Sequence, residues 1–276
     1  MGIGFGLRRY LGLAALVLSA ASAASAQSAP APQSAEPQDE SARAASGQPR
    51  WTARPLFGET DVYVLPSGAT SLLFQLRPTA PTSGATVTDT AYRAEFGLPG
   101  RFQLGLHATG RTEGGDSAIG NIDAQTLEMR WALAAWGRLW GNPTMHAEWR
   151  EASRGADVGT VKLLLGGGNG SGWRWGSNVA WTQEASGARE IARAWTAGVS
   201  YESGRFASVG VETRLAFVDR LGTDRHTRSA MARELLAGPS LQIRPVRRLY
   251  INLAPLFGAT VSSPRSRTTL AASWQF

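Results

Sequence analysis

The chain has 276 residues and a formal net charge of +7, and it contains no cysteine. This length allows one large β domain or two small domains. The lack of thiols excludes disulfides, thiolate metal sites and cysteine nucleophiles. Arginines are spread along the chain without a long basic run, which argues against a nucleic-acid partner.

Residues 1–26 have the three parts of a secretory signal peptide. Arg8 and Arg9 form a positive start, Leu11–Ala20 is a short apolar run, and Ala24–Ala26 matches an A-x-A cleavage site. An uncleaved anchor is the weaker interpretation, because a spanning helix needs roughly 20 apolar residues. Export is therefore predicted, and removal of the two arginines (7 − 2) leaves a net charge of +5.

Two segments of different composition follow the signal peptide. Residues 27–50 are rich in Ala, Ser, Pro and Gln and contain no aromatic residue, which predicts a disordered linker. Residues 51–70 place Trp51, Phe57 and Tyr63 among polar residues. Three arrangements stay open for this segment: it lies across a barrel mouth, it tucks into the lumen as a plug, or it leads into the first strand.

From Ser71 to the end, apolar and polar residues alternate with a period of two, which is typical of β-strands. The segment Thr90–Leu98 is one example, and the turn Pro99–Arg101 follows it. The repeats predict about twelve strands, within bounds of roughly ten to fourteen, each long enough to cross a bilayer on a tilt. Pro239 and Pro255 fall inside predicted strands, where each removes a ladder hydrogen bond unless a bulge accommodates it.

Connection lengths favour a membrane barrel over a soluble one. If the N-terminus is periplasmic, Pro99–Arg101 and Arg244–Arg248 are short inner turns, whereas Arg111–Gly120 and Asp219–Ser229 are longer polar outer loops. Outer-membrane barrels have this asymmetry. Ala135–Asn142 is an exception, a longer inner connection for which we expect a short interfacial helix carrying Trp136 and Trp140.

Aromatic residues of the apolar face fall near both ends of the predicted strands, as two membrane interfaces require. The periplasmic group is Phe96, Phe102, Trp131, Trp175, Tyr201, Trp274 and Phe276, and the outer group is Tyr92, Trp149, Trp181 and Phe217. The sequence therefore predicts an all-β fold, a closed antiparallel transmembrane β-barrel over residues 71–276, in the outer membrane of a Gram-negative bacterium.

The last strand, Thr268–Phe276, ends on an aromatic residue with apolar residues at alternate positions before it. This ending resembles the C-terminal signature of outer-membrane barrels, and the resemblance implies the barrel-assembly machinery as a partner. The segments Arg130–Pro143 (RWALAAWGRLWGNP) and Gly238–Pro245 (GPSLQIRP) are similar to uncharacterised, transporter-like outer-membrane barrels near the phenol-degradation meta-pathway family. The similarity covers most of residues 71–276 and brings no catalytic motif.

The alternation assigns many charged residues to the inward face. They are Arg77, Arg93, Glu95, His107, Arg111, Glu128, Arg130, His146, Glu148, Arg150, Lys162, Arg174, Glu184, Glu190, Glu212 and Arg214. Glycines on the same face (Gly97, Gly105, Gly176, Gly198 and Gly210) leave space in the lumen. Two interpretations stay open: a narrow water-filled path with a mild preference for small polar or anionic solutes, or a closed barrel in which the charges pair and the role is structural or surface-binding.

An enzyme is the least favoured class. The sequence contains no GxSxG, HExxH or phosphate-cradling motif, and we expect no cofactor or metal. His226 with Asp224 in an outer loop is a weak candidate for an outer-membrane hydrolase. Outer-membrane lipid and lipopolysaccharide are the expected surface partners, the latter through Arg220, Arg225 and Arg228.

Overall fold

The computed structural model describes residues 47–114, 122–186, 190–204, 206–219 and 232–276. These residues form twelve antiparallel strands in a closed barrel, in which each strand pairs with its sequence neighbours and the first pairs with the last. The strands are β1 (Thr70–Ala80), β2 (Val87–Leu98), β3 (Phe102–Glu113), β4 (Ala124–Ala132), β5 (Thr144–Ala152), β6 (Val158–Gly168), β7 (Trp173–Glu184), β8 (Ile191–Ser203), β9 (Ala207–Asp219), β10 (Ala232–Val246), β11 (Leu249–Gly258) and β12 (Ser266–Gln275). The predicted fold class and strand number are confirmed.

Helix is confined to two short 3₁₀ turns, Arg50–Ala53 and Pro99–Arg101, among the residues described. None of the described helices is long and apolar enough to cross a bilayer. We call the end of the barrel at which β1 begins the lower end, and the opposite end the upper end. The predicted signal peptide, most of the predicted linker, and the loop with Arg220, Arg225, His226 and Arg228 lie outside the described residues.

Strand β4 shows how alternation sorts side chains between the two faces. Leu127 and Met129 are 53% and 51% exposed on the outer surface, whereas Glu128 and Arg130 are 1% and 5% exposed inside. A soluble barrel buries its apolar residues and exposes its charges. The reverse arrangement here is that of a barrel surrounded by lipid.

Aromatic rings gather at the lower end of the outer surface. Phe102 stacks on Trp131 with ring centroids 5.7 Å apart, and Trp173 lies 5.2 Å from Tyr201. Near the upper end, Trp149 and Trp181 are exposed in the same way. Amphipathic rings at two levels match the two interfaces of a bilayer.

Pro239 and Pro255 lie opposite each other on adjacent strands. The pairs Ala237–Phe257 and Leu241–Leu253 have the same register, so no residue is inserted between them. The bulge considered for these prolines is therefore absent at this point. The register shift between β10 and β11 occurs lower down, between Ile243 and Val246.

The lower connection between β4 and β5 forms bends and turns, so the interfacial helix expected over Ala135–Asn142 is wrong. Side-chain and turn hydrogen bonds hold the loop instead, since the Gly137 N–H donates to Asn142 Oδ1 at 2.5 Å. Trp140 is 83% exposed, but Trp136 turns inward and packs against residues that precede β1.

Candidate functional site

Residues 48–69 enter the barrel and fold back within it, and we call them the plug segment. Its two legs lie side by side near the lower end, where Gln48 Nε2 donates to the Val64 carbonyl at 2.8 Å. The second leg joins β2, since the Gly68 N–H donates to the Gly97 carbonyl at 2.8 Å. The middle of the segment, Gly58–Asp61, is the tip that reaches furthest into the lumen. Of the three arrangements left open by the sequence, the structure shows the one inside the lumen.

The legs of the plug segment form an apolar core inside the barrel. Its members are Trp51, Leu56, Phe57, Val62, Tyr63, Val64 and Ala132, with Trp136 packed against them. Trp136 meets Trp51 and Tyr63 edge to face, with ring centroids 5.3 and 5.0 Å apart. Burial of each large apolar side chain contributes roughly 1.5–3 kcal/mol, so this core holds the segment in place.

Inward-facing glycines provide the room for the plug segment. A Cβ on Gly97 would lie 1.9 Å from the Pro66 carbonyl oxygen, and one on Gly198 would lie 2.6 Å from the Phe57 ring. On Gly176 it would lie 2.9 Å from Thr60 Cγ2. The space that these glycines leave in the wall is therefore filled by the plug segment.

Barrel side chains satisfy the backbone of the plug segment, which runs in an irregular conformation. The Leu65 N–H donates to Gln103 Oε1 at 2.8 Å, and the Pro55 carbonyl accepts from Gln242 and Asn252 at 2.6 and 3.0 Å. Asn178, with its amide oriented to satisfy both groups, bonds the N–H and C=O of Asp61 at 2.7 and 2.8 Å. Irregular backbone at membrane depth requires such partners.

At the tip, charges of opposite sign cross between plug and wall. Glu59 contacts Arg77 Nε at 3.3 Å and Arg214 Nη1 at 3.7 Å. In the other direction, the N–H groups of Gly58 and Glu59 donate to the Glu212 carboxylate, each at 2.9 Å. We call this set of contacts the tip latch. Burial acts to raise the pKa of Glu59, but the nearby cations, Arg77 first, outweigh it and hold that pKa below its usual range.

Asp61 connects the tip to a second charged cluster, on strands β2 to β6. Arg130 lies 3.3 Å from Asp61, 3.8 Å from Glu95 and 2.5 Å from Glu128. Burial acts to raise the pKa of Asp61, but Arg130 and further cations lower it well below its usual range. The plug segment is therefore a counter-ion for the barrel wall at two points.

Two groups of side chains in this cluster have spacings that metal ligands could use. They are Glu95–His107–Glu128 and Glu128–His146–Glu148, with ligand atoms within 4.8 Å of one another in each group. His107 Nε2 lies 3.4 Å from Glu128, and His146 Nε2 lies 3.3 Å from Glu148. Because the Arg130 guanidinium already contacts the shared Glu128, it supplies positive charge where a divalent cation would sit. These groups form an ion-pair network.

Near the lower end, a third ion cluster joins the first leg of the plug segment to the wall. Glu202 accepts from Arg174 and lies 3.5 Å from Arg54. The Arg174 guanidinium also lies 5.0 Å from the Trp51 ring centre, a cation–π contact. The apolar core is thus tied to the barrel by charge as well as by packing.

A cavity of about 340 Å³ lies alongside the plug segment and is lined by both plug and wall, from Ser71 and Ser273 near the lower end to Arg77 and Thr182 higher up. Small residues such as Ala192, Ala194 and Thr182 form part of its wall. Its charged lining consists of Arg54, Arg77, Arg93, Arg130, Lys162 and Arg214 against Glu59, Asp61, Glu95 and Glu148. Six basic and four acidic groups leave an excess of positive charge in the cavity.

The remaining residues assigned to the inward face contact neighbouring wall residues or lie near the strand ends. Arg93 donates to Gln75 at 3.0 Å, and Lys162 lies 3.9 Å from Glu148. Arg111 pairs with Asp89 at the exposed upper rim. Glu184 accepts from the Glu190 N–H at the hairpin between β7 and β8, and Arg150 lies half-buried near the end of β5.

Several charged residues of the lumen were not in the sequence-based set. Arg54, Glu59 and Asp61 belong to the plug segment, and Glu202 lies near the lower end of β8. Glu234 and Arg267, which pair at 2.9 Å, lie near the upper ends of β10 and β12. The alternation would have assigned Glu202, Glu234 and Arg267 to the inward face if the predicted strands had been a few residues longer. Nothing in the alternation pattern points to the plug segment's contacts.

Solved structures share this fold at low sequence identity. The COG4313 outer membrane channel from Pseudomonas putida F1 superposes with a TM-score of 0.56 and 12% identity, covering 78% of this chain and 98% of the channel. The NanC porin superposes with a TM-score of 0.51 and 12% identity, covering 74% of this chain and 98% of the porin. No family model and no curated protein sequence matches the chain. The relation shown is one of fold, with outer-membrane barrels.

Proposed function

We propose that this protein is an outer-membrane channel for small polar or anionic solutes, with its lower end facing the periplasm. The observation that carries the proposal is the charged cavity of about 340 Å³ inside a barrel whose outer face is apolar. The excess of basic groups on its lining favours entry of anions over cations. The two structures described above, one a channel and one a porin, support a transport role over catalysis.

The plug segment makes this a channel with a closed state. Its apolar core occupies the lower part of the lumen, so solute that enters the cavity from the upper end meets a barrier there. Passage requires displacement of the plug segment, while the barrel stays closed through its own strand ladders. Transporter-like barrels near the phenol-degradation meta-pathway family, which the sequence resembles, fit this role.

The rival role is a permanently closed barrel that serves the envelope structurally. A crosslink distinguishes the two, since the protein has no cysteine of its own. A Cβ on Gly166 would lie 3.3 Å from Val62 Cβ, close to the spacing of a disulfide. The double variant Val62→Cys/Gly166→Cys therefore fixes the plug segment to β6 when oxidised.

The test is single-channel conductance of the mature protein in planar bilayers, with a salt gradient to read ion preference. We expect the wild type and the reduced double variant to open with an anion-leaning reversal potential, and the oxidised double variant to stay silent. The single variant Val62→Cys is the control for the substitution itself. Silence of the correctly folded wild type under all voltages would overturn the channel, and unaltered conductance of the oxidised variant would overturn the role of the plug segment.

A further inference from the structure

Glu59 occupies a position between two arginines that have no backbone contact with each other. Arg77 is on β1 and Arg214 is on β9, and these strands are not neighbours in the barrel. Both guanidiniums point to the Glu59 carboxylate, at 3.3 and 3.7 Å. Their side chains are 27% and 24% exposed, whereas that of Glu59 is 7% exposed. The wall of the cavity therefore contains a carboxylate-binding pair, which the protein fills with its own side chain.

The charges around this position make an unaccompanied departure of Glu59 unfavourable. Arg214 and Arg267 share Glu234, at 3.7 and 2.9 Å. Of the carboxylates in ion-pair contact with these three guanidiniums, Glu59 and Glu234, the departure of Glu59 leaves only Glu234. Uncompensated charge in a confined site is costly. The plug tip therefore leaves most easily when another anion takes the place of Glu59.

We propose that the Arg77–Arg214 pair is a binding site for small organic carboxylates, and that such a solute displaces Glu59 and releases the plug segment. The inference rests on the proposed channel function and names its solute class and its control. Guanidinium groups bind carboxylates by paired, directional hydrogen bonds. The adjoining cavity is at the small end of the range for ligand sites, which suits a compact organic acid.

Displacement has a route to the rest of the plug segment. The residue before Glu59, Gly58, shares with it the Glu212 carboxylate through two backbone N–H groups. Loss of the Glu59 contacts leaves Gly58 and Glu59 held by Glu212, beside a solute of the same charge, while Asp61 keeps its contacts with Arg130 and Asn178. Because solute and Glu59 exclude each other from one site, each weakens the binding of the other by the same factor.

The experiment uses the mature full-length protein in planar bilayers in potassium chloride, with potassium gluconate added at the upper end. Sorbitol, an uncharged molecule of similar size, is the matched solute. We expect millimolar gluconate to raise the open probability by about tenfold, within the usual range of such couplings, and sorbitol to leave it unchanged. Equal responses to the two solutes would overturn the proposal.

Variants separate the arginine pair from its internal ligand. Glu59→Gln should open about tenfold more often without solute and respond little to gluconate, and Arg77→Gln/Arg214→Gln should lose the gluconate response. Glu113→Gln, at the exposed end of β3, is the control and should behave as the wild type. A Glu59→Gln variant with wild-type baseline and response would contradict the mechanism.

A measurement on the unmodified protein guards against misfolded variants. Hydrogen exchange of the Gly58 and Glu59 amides should become faster in gluconate and stay constant in sorbitol, because both amides are hydrogen-bonded only while the tip is docked. Unchanged exchange would overturn the inference. If the oxidised Val62→Cys/Gly166→Cys variant is silent and its reduced form conducts, the channel stands even where gluconate has no effect. The two proposals therefore fail separately.

Discussion

The legs and the tip of the plug segment differ in the contacts that hold them, because the legs combine an apolar core with the Arg54–Glu202 ion pair and the tip has no such core. The legs bury large apolar side chains such as Trp51 and Tyr63 against the lower wall. The tip has no comparable apolar side chain at Gly58–Asp61 and depends on ion pairs and on backbone hydrogen bonds to Glu212 and Asn178. Apolar packing is insensitive to which small solutes are present. In an ion pair, by contrast, a charged solute can compete with the plug side chain of the same charge for its partner in the wall. Stability and responsiveness are thus assigned to separate parts of one segment.

The first way to break this comparison is to remove the apolar contact. Trp51→Ala should destabilise docking of the plug segment by about 3–5 kcal/mol, because it empties the centre of the core. The measurement is hydrogen exchange of the Leu65 amide, which donates to Gln103 while docked. Trp140→Ala is the control, since that ring is 83% exposed. Equal exchange in the two variants would show that the core does not hold the legs.

The charged region is tested by removing its central cation. Arg130→Ala leaves Glu128 and Asp61 without their closest guanidinium, and breaking such a buried pair costs about 3–5 kcal/mol. Unlike the Trp51 change, it should weaken both the barrel and the plug tip. Urea unfolding followed by heat-modifiable electrophoretic mobility measures the barrel, with Arg111→Ala at the exposed rim as the control. A wild-type unfolding midpoint for Arg130→Ala would contradict this view.

A smaller effect is expected where the second leg passes close to the wall. Gly97→Ala places a Cβ 1.9 Å from the Pro66 carbonyl oxygen, so the leg must shift, at a cost of about 1–3 kcal/mol. Gly159→Ala adds the same methyl group where the nearest atom is 3.5 Å away. We expect faster exchange near residue 65 in the first variant alone. If Gly97→Ala does not speed exchange near residue 65, the leg tolerates the displacement.

Acid should act on the tip and leave the legs in place. The pKa values of Glu59 and Asp61 are lowered in the docked state, so their contribution to docking is fully present above the ordinary values of 4.5 and 3.8. It is lost as the pH falls through the lowered values. Between pH 6 and 9 these two groups should cause no change in Gly58 amide exchange. Asp61→Asn should remove part of the acid dependence of docking. A transition in Gly58 amide exchange near neutral pH that is assigned to either carboxyl would refute this prediction.

The barrel was predictable because its information is local. Alternation at period two fixes which residues face lipid, as in Leu127, Glu128 and Met129, and the turns fix the strand number. The plug segment was not predictable in the same way. Its contacts join residues far apart in sequence, such as Gly58 and Glu212. The alternation shows which face of the barrel wall a residue is on, but it does not show which residue it contacts across the lumen. Trp51, Phe57 and Tyr63 were visible as an anomaly before the first strand, but their composition allowed three arrangements.

The inward glycines show why the site was only partly predictable. The sequence places Gly97, Gly176 and Gly198 inside, and an absence of side chains there suggests a wider lumen. In the structure the same positions receive Pro66, Thr60 and Phe57. Inward glycines are expected both in a barrel with an open lumen and in one whose lumen holds a plug segment. The glycine pattern therefore does not distinguish an open path from a plugged one, and the folded structure does.

The covalent connection between the plug segment and β1 makes Glu59 a tethered competitor. Gly68 and Ala69 stay joined to the lower end of the barrel, so a displaced carboxylate cannot diffuse away. Tethered groups of this kind act at effective concentrations of roughly millimolar order, independent of how much protein is present. A solute must therefore be abundant to displace Glu59 from the arginine pair. Reclosure takes place within one molecule and is therefore first order. The length of the tether, as much as the affinity of the site, sets the solute concentration at which the channel responds.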